Sequence, residues 1–273
     1  MRIGIGSYTY TWAIGVPGYS WPKKPLTAEG LLSKARALGV SVVQIADNLP
    51  LHELNLTELN SLRRSADELG ITIEIGTSGF ETPHLLKYLE IAKVLDAKLL
   101  MTFLENSFTP IEQVRTKIEQ VLPQFVEAGV SIAIQNNEHH SREDLTTLIQ
   151  EVNNPFVGVC LDPANSIGVL QCPDSVIAGL APYTISYHIK DFTITRFNDR
   201  MGFSMKGSPV GEGMLDFPWA FEVLNSFGKK PNLILELWTP FTQSIERTIA
   251  IEDDWANRSI KYLTERLKLN QVS

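Results

Sequence analysis

The segment SIAIQNNEHHSREDLTTLIQEVNNPFVGVCLD, residues 131–162, holds the repeating unit from which the fold can be read. It passes from a short apolar run, SIAIQ, through a helix that starts at Ser141, to a second short run, VGVCL at 157–161. Runs that are apolar throughout suit strands buried on both faces, and an intervening helix returns the chain to a parallel neighbour.

Outward from this unit the same alternation recurs, with further runs at 3–8, 41–46, 71–76, 98–103, 184–189 and 232–237. Eight strands with crossover helices close a barrel, so the expected fold is α/β, a single (β/α)8 domain over 1–273. A doubly wound open sheet shares the alternation, but it usually has fewer strands and often a glycine-rich phosphate loop after the first. No such loop is present. Thr27 and Thr57 are read as helix starts, with Gly39 and Gly70 closing those two helices. The long non-helical stretches at 9–25 and 192–216 follow strands, which in a barrel places them over the active mouth.

Composition narrows the function. A chain of 273 residues, 44% apolar and 20% charged, has the material for one large core. Its net charge of −7 counts against nucleic acid as a partner, because phosphate binding needs a basic surface. No apolar run reaches the roughly 20 residues that span a bilayer. The opening MRIGIGSYTY enters a strand pattern without a secretory h-region, so a cytoplasmic enzyme with a small-molecule partner and no membrane is expected. A homo-oligomer is left open. Cys160 and Cys172 have no metal-binding or redox spacing and are read as reduced.

Polar residues at the ends of apolar runs carry the chemistry, since a charge in a parallel strand is costly unless paired or bound to metal. Gln135 ends SIAIQ, Asp162 ends VGVCLD, His188 lies in TISYHIKD and Glu236 in NLILELW. Side chains alternate along a strand, so Glu236 shares the inner face with Ile234 and Trp238, and His188 with Ser186 and Lys190. Taken singly, His188 could be a satisfied core histidine and Asp162 a helix cap. Together, one imidazole and two carboxylates form a hard site suited to Mn, Mg, Co or Zn. Lys190 either meets an anionic or hydroxyl group of a substrate or pairs with a carboxylate such as Asp191. Tyr8, Tyr10, Trp12 and Trp21 cluster after the first strand; Tyr8 and Trp12 are assigned to substrate contact and Trp21 to packing. Asp47, Asn48, His84, Phe103 and Glu105 follow other strands and are unranked cavity residues.

The stretches QNNEHH (135–140), LDPANS (161–166), HIKD (188–191), VGEG (210–213) and LELW (235–238) resemble the sugar isomerase and epimerase superfamily of xylose-isomerase-like TIM barrels. The resemblance covers nearly the whole chain. It implies four metal ligands, by position Gln135, Asp162, His188 and Glu236, with Gln135 standing where the family usually has Glu. It also implies that Asp191 and Glu212 lie near the site, orienting His188. Asn165 and His139 are assigned to substrate contact.

Glutamine cannot take a proton, although its amide oxygen can coordinate a hard cation. The metal site is therefore expected to survive with one negative charge fewer and a stronger Lewis acid. Glu138, with His139 or His140, is a replacement base, or else part of a polar turn before Ser141. The leading expectation is a metal-dependent isomerase or epimerase acting through an enediolate on a small ketose or sugar acid, with Glu236, Glu138 and Lys190 as catalytic groups. A lyase, either a decarboxylase or a dehydratase of a keto sugar acid, comes second, because decarboxylation of a β-keto acid needs no base to start it. A non-catalytic sugar-binding barrel is the third reading.

Overall fold

Strands rich in Val, Ile and Leu on both faces have no solvent side, and in the computed structural model, which describes residues 1–105 and 109–269, they close into a ring. The strands are β1 (Ile3–Gly6), β2 (Val42–Ile45), β3 (Thr72–Ser78), β4 (Leu99–Phe103), β5 (Ser131–Gln135), β6 (Val157–Leu161), β7 (Thr184–Ile189), β8 (Asp191–Arg196), β9 (Phe203–Ser208) and β10 (Asn232–Leu235). All but β8 and β9 form the parallel barrel, closed by β10 between β7 and β1, with Leu235 opposite both Ile189 and Ile5. Helices follow the strands around the outside, so the (β/α)8 barrel is the observed fold.

Alternation divides the core into two layers. Outward residues such as Val43, Ile75, Leu100, Ile134, Leu161 and Leu233 pack with helix residues including Leu31, Leu62, Leu89 and Phe125. The apolar cluster inside the ring is small, with Ala46, Leu99, Met101, Ala133 and Cys160. The remaining inward positions include Gln44, Glu74, Gln135, Asp162, His188 and Glu236, each at most 8% exposed. Burying one aliphatic side chain contributes about 1.5–3 kcal/mol, whereas one unpaired buried charge costs several kcal/mol. The polar interior therefore persists only where its groups satisfy one another.

Helix ends follow local chemistry. Thr27 accepts a hydrogen bond from Gly30 N–H, and Gly39 and Gly70 take left-handed φ values of 71° and 67°. The second of these helices, Leu56–Leu69, starts ahead of Thr57. Asn55 accepts from Thr57 and Glu58 N–H while Glu58 accepts from Asn55 N–H. Asparagine caps better than threonine, and the glutamate three residues on completes the reciprocal pair.

The two long stretches over the mouth are more ordered than their composition indicates. Within 9–25, a short helix over Thr11–Ile14 is pinned where Glu252 accepts from Trp12 and Ala13 N–H at 2.8 and 3.0 Å. Most of 192–216 belongs to the antiparallel β8–β9 hairpin, outside the ring. Its root is organised by Asp191, whose Oδ1 accepts from Phe192 and Leu215 N–H and Oδ2 from Gly211 and Gly213 N–H, at 2.9–3.2 Å. A Cβ at Gly213 would lie 2.1 Å from Asp191 Oδ1, so the approach requires glycine. Cys160 and Cys172 are free thiols, and among the described residues no helix is long and apolar enough to cross a membrane.

Asp191→Ala would leave these four backbone N–H groups without their acceptor. Urea denaturation should report a loss on the order of 3 kcal/mol, with Asp191→Asn recovering part of it; an unchanged midpoint would remove the anchoring role.

Candidate metal centre

β5, β6, β7 and β10 are consecutive neighbours around the ring, so the polar residues at their C-terminal ends come side by side. Gln135 is the last residue of β5, Asp162 follows β6, His188 is in β7, and Glu236 follows β10 with its N–H donating to Ile189 O at 3.0 Å. Donor atoms of Asp162, His188 and Glu236 all lie within 4.8 Å of one another. His188 Nδ1 is 3.3 Å from Glu236 Oε1 and 3.9 Å from Asp162 Oδ2. The Gln135 carboxamide completes the arc, with Nε2 at 2.9 Å from His188 Nδ1 and 3.2 Å from Asp162 Oδ2.

His188 Nε2 meets Gln44 Oε1 at 2.7 Å. A carbonyl oxygen only accepts, so Nε2 carries the ring hydrogen and Nδ1 turns a lone pair toward the carboxylates. Acceptors converging in this way repel one another unless positive charge lies among them. Lys190 supplies some, with Nζ at 2.8 Å from Asp162 Oδ2 and 2.9 Å from Glu236 Oε2. Burial alone would pull the Lys190 ammonium down, but Asp162 and Glu236 outweigh it and hold it above its usual value. For Glu236 burial pushes up, yet the carboxyl is held below the usual range, with the Lys190 ammonium 2.9 Å from Oε2. Two hard carboxylates, a neutral imidazole nitrogen and an amide that can turn its oxygen inward fit a divalent cation.

The surrounding residues fix these groups. Asn136 donates through Nδ2 to Asp162 O and accepts from Asp162 N–H, both at 2.7 Å, which locks the backbone at Asp162. A cavity of about 480 Å³ opens above the centre, with Lys190 and Glu236 at its base and Tyr8, Asn165, Glu138 and His139 on its walls. Asp47, Phe103 and Glu105 also line it. The Tyr8 hydroxyl donates to Asp47 at 3.2 Å; burial, with Asp47 and Glu236, pushes its pKa upward, so it stays protonated.

Other residues singled out in the sequence lie elsewhere. Trp12 donates to Thr239 O at 2.7 Å, stacks on Phe241 and borders an adjoining cavity of about 340 Å³ that also reaches Lys190 and Glu236. Trp21, assigned to packing, is 61% exposed beside a separate cavity that also holds Asn48. His84 meets Thr77 Oγ1 at 2.6 Å, and His140 Nε2 meets Thr109 O at 3.3 Å. Neither Asp191 nor Glu212 orients His188. Asp191 is occupied by the hairpin root, and Glu212 pairs with Arg258 at the surface. The orienting partner is Gln44, hydrogen-bonded in turn to Glu74. Both interrupt apolar strands, in VVQIA and TIEIG, which is the signal that marked β5 to β7.

This fold and site define a class: the chain belongs to the xylose isomerase-like TIM barrel family, whose model matches residues 32–266. Among individual proteins, the 3-oxo-isoapionate decarboxylase of Pectobacterium atrosepticum is 32% identical over 269 residues, covering 97% of this chain and 96% of that protein. A D-psicose 3-epimerase from Clostridium cellulolyticum, solved with D-tagatose, superposes with a TM-score of 0.74 at 15% identity, over 98% of this chain and 99% of that one. A xylose isomerase-like protein from Mycobacterium smegmatis in complex with magnesium gives 0.70 at 14% identity, over 95% and 96%. These two structures share the fold; the closer sequence relation is to the decarboxylase.

Titration of chelator-treated protein with Mn²⁺ in a calorimeter should show one site. Asp162→Asn and Glu236→Gln should each weaken it by on the order of 100-fold or more. At a hundredfold excess over Kd the ion should add about 2.7 kcal/mol of stability, removed by EDTA. Unchanged affinity in both variants would rule out this centre.

Proposed function

We propose that this protein is a metal-dependent lyase that decarboxylates a small 3-oxo sugar acid. One observation carries the reading: at the end of the arc away from Glu236, the position where the family resemblance implies a second glutamate holds Gln135, which cannot take a proton. A proton shuttle across a substrate carbon needs a base on each side. Loss of CO2 from a β-keto acid needs none, because the electron pair of the breaking C–C bond flows into the neighbouring carbonyl, and the enolate formed takes a proton from solvent water at the carbon that lost CO2. The similarity to a 3-oxo-isoapionate decarboxylase supports the same chemistry.

A divalent cation bound at this centre supplies the positive charge that draws the electron pair toward the substrate oxygens. The chain's own groups do the rest. Lys190 Nζ, kept charged by Asp162 and Glu236, offers N–H to the substrate carboxylate from the cavity floor. Asn165, whose Oδ1 is 3.5 Å from Lys190 Nζ, supplies a second polar contact there. Tyr8 and Trp238 border the same space.

The isomerase or epimerase reading keeps one observation in its favour. Glu138 and His139, with Oε1 and Nε2 3.8 Å apart, line the cavity and offer a base from the loop after β5.

Incubating the Mn²⁺-loaded protein with a 3-oxo aldonate should release CO2 in proportion to the acid consumed. Gln135→Glu should slow this at least ~10-fold, and Lys190→Met by roughly 100-fold. Epimerised acid without CO2 would establish the isomerase reading. Thermal stabilisation by the acid with no product would establish a binding protein.

A further inference from the structure

Behind the metal centre a chain of hydrogen-bonded side chains runs through the ring toward the start of the strands. His188 Nε2 donates to Gln44 Oε1 at 2.7 Å, and Gln44 Nε2 donates to Glu74 Oε2 at 3.1 Å. From the other side Asn232 Nδ2 donates to Glu74 Oε1 at 2.6 Å, and Arg2 Nε donates to Asn232 Oδ1 at 3.2 Å. Gln44 and Glu74 are register neighbours on β2 and β3, so they reach the interior side by side. Both are buried, at 0% and 4% exposure.

The polarity of this chain is determined at both ends. Arginine has no acceptor, so the Asn232 oxygen faces Arg2 and its NH2 faces Glu74. Glu74 then receives a donor on each oxygen, an arrangement suited to a carboxylate and not to a carboxylic acid, whose own O–H would need an acceptor. Burial leaves the Glu74 carboxyl above its usual value even with the hydrogen bonds from Asn232 and Gln44 opposing it, and it is the donor on each oxygen that selects the ionised form. With Glu74 ionised, Gln44 must turn its NH2 toward Glu74 and its oxygen toward His188. That leaves the ring hydrogen on Nε2 and the lone pair on Nδ1, facing Asp162 and Glu236.

We infer that Glu74 is a positioning residue of the metal centre, acting through the Gln44 amide to hold His188 in the tautomer that presents Nδ1 as a ligand. The carboxylate missing at Gln135 thus has a counterpart one hydrogen-bonded residue behind the imidazole. Reversing the Gln44 amide gives the opposite state, with its NH2 on Nε2 and a proton on Nδ1, where no cation can bind.

The inference rests on the metal centre and not on the reaction class, and it is read first on metal-free protein. In ¹⁵N-histidine-labelled wild type, His188 should show a protonated Nε2 and an unprotonated Nδ1. Glu74→Gln keeps the shape but places an NH2 against one of two donors, so the Gln44 amide should reverse, with Nδ1 becoming protonated in a large share of molecules. Mn²⁺ affinity should then fall about 10–100-fold. Should that variant not fold, Gln44→Met, which removes the acceptor from Nε2, should show the same two changes. A wild-type His188 protonated on Nδ1 overturns the inference. So does a folded Glu74→Gln, or in its place Gln44→Met, with unaltered tautomer and affinity. A wild type with the expected tautomer that binds no Mn²⁺ would sink the metal centre instead.

Discussion

Charge sealed inside a closed ring of strands must be satisfied within the ring, and the site is shaped by that constraint. Asp162 and Glu236 are buried acceptors on the inner face, and the groups around them answer their charge or aim them. Lys190 bridges the two carboxylates, Asn136 fixes the backbone at Asp162, and Gln44 turns the imidazole so that its free nitrogen joins the same point. Breaking a buried pair of this kind by removing one partner typically costs about 3–5 kcal/mol. The interior is therefore specified as tightly as the apolar layer outside it, where side chains between strands and helices are held mainly by packing.

That division of labour lets one barrel accommodate different reactions. The outer layer and ring register set where each strand ends, and the reaction depends on the few inward positions at those ends. With Gln135 where the family resemblance implies a glutamate, the site keeps donors that fit a cation and has, at that position, a group that cannot take a proton. Lys190 becomes the positive group next to the space where a substrate would lie. Electron withdrawal then has more support in this site than proton exchange.

The fold was legible because eight strands buried on both faces, each followed by a helix, can hide all their apolar edges only by closing on themselves. Strand boundaries shifted by at most a few residues. The three buried ligand candidates were legible for a physical reason: Glu236 among Ile234, Leu235 and Leu237 had to be buried. Gln44 and Glu74 carried the same mark on β2 and β3, but only the ring brings β2 across to β7, so their link to His188 awaited the structure. Asp191 and Glu212 misled in the opposite sense. Their motif places them close in sequence to the ligands, yet Asp191 serves the root of a hairpin whose pairing was not read from its loop-like length, and Glu212 reaches out to Arg258. The helix start at Asn55 was legible, since Asn55 with Glu58 three residues on is a capping-box pattern, but it was read two residues late, at Thr57.

The central claim is that Gln135, which cannot take a proton, suits this centre to drawing electrons rather than to a proton shuttle between two glutamates. The most direct measurement is the reaction of a 3-oxo aldonate in D2O, followed by mass spectrometry of product and remaining acid. The account predicts one deuterium per product molecule, at the carbon that lost CO2, and none in the unreacted acid beyond the enzyme-free control. Deuterium accumulating in unreacted acid faster than CO2 appears would contradict it.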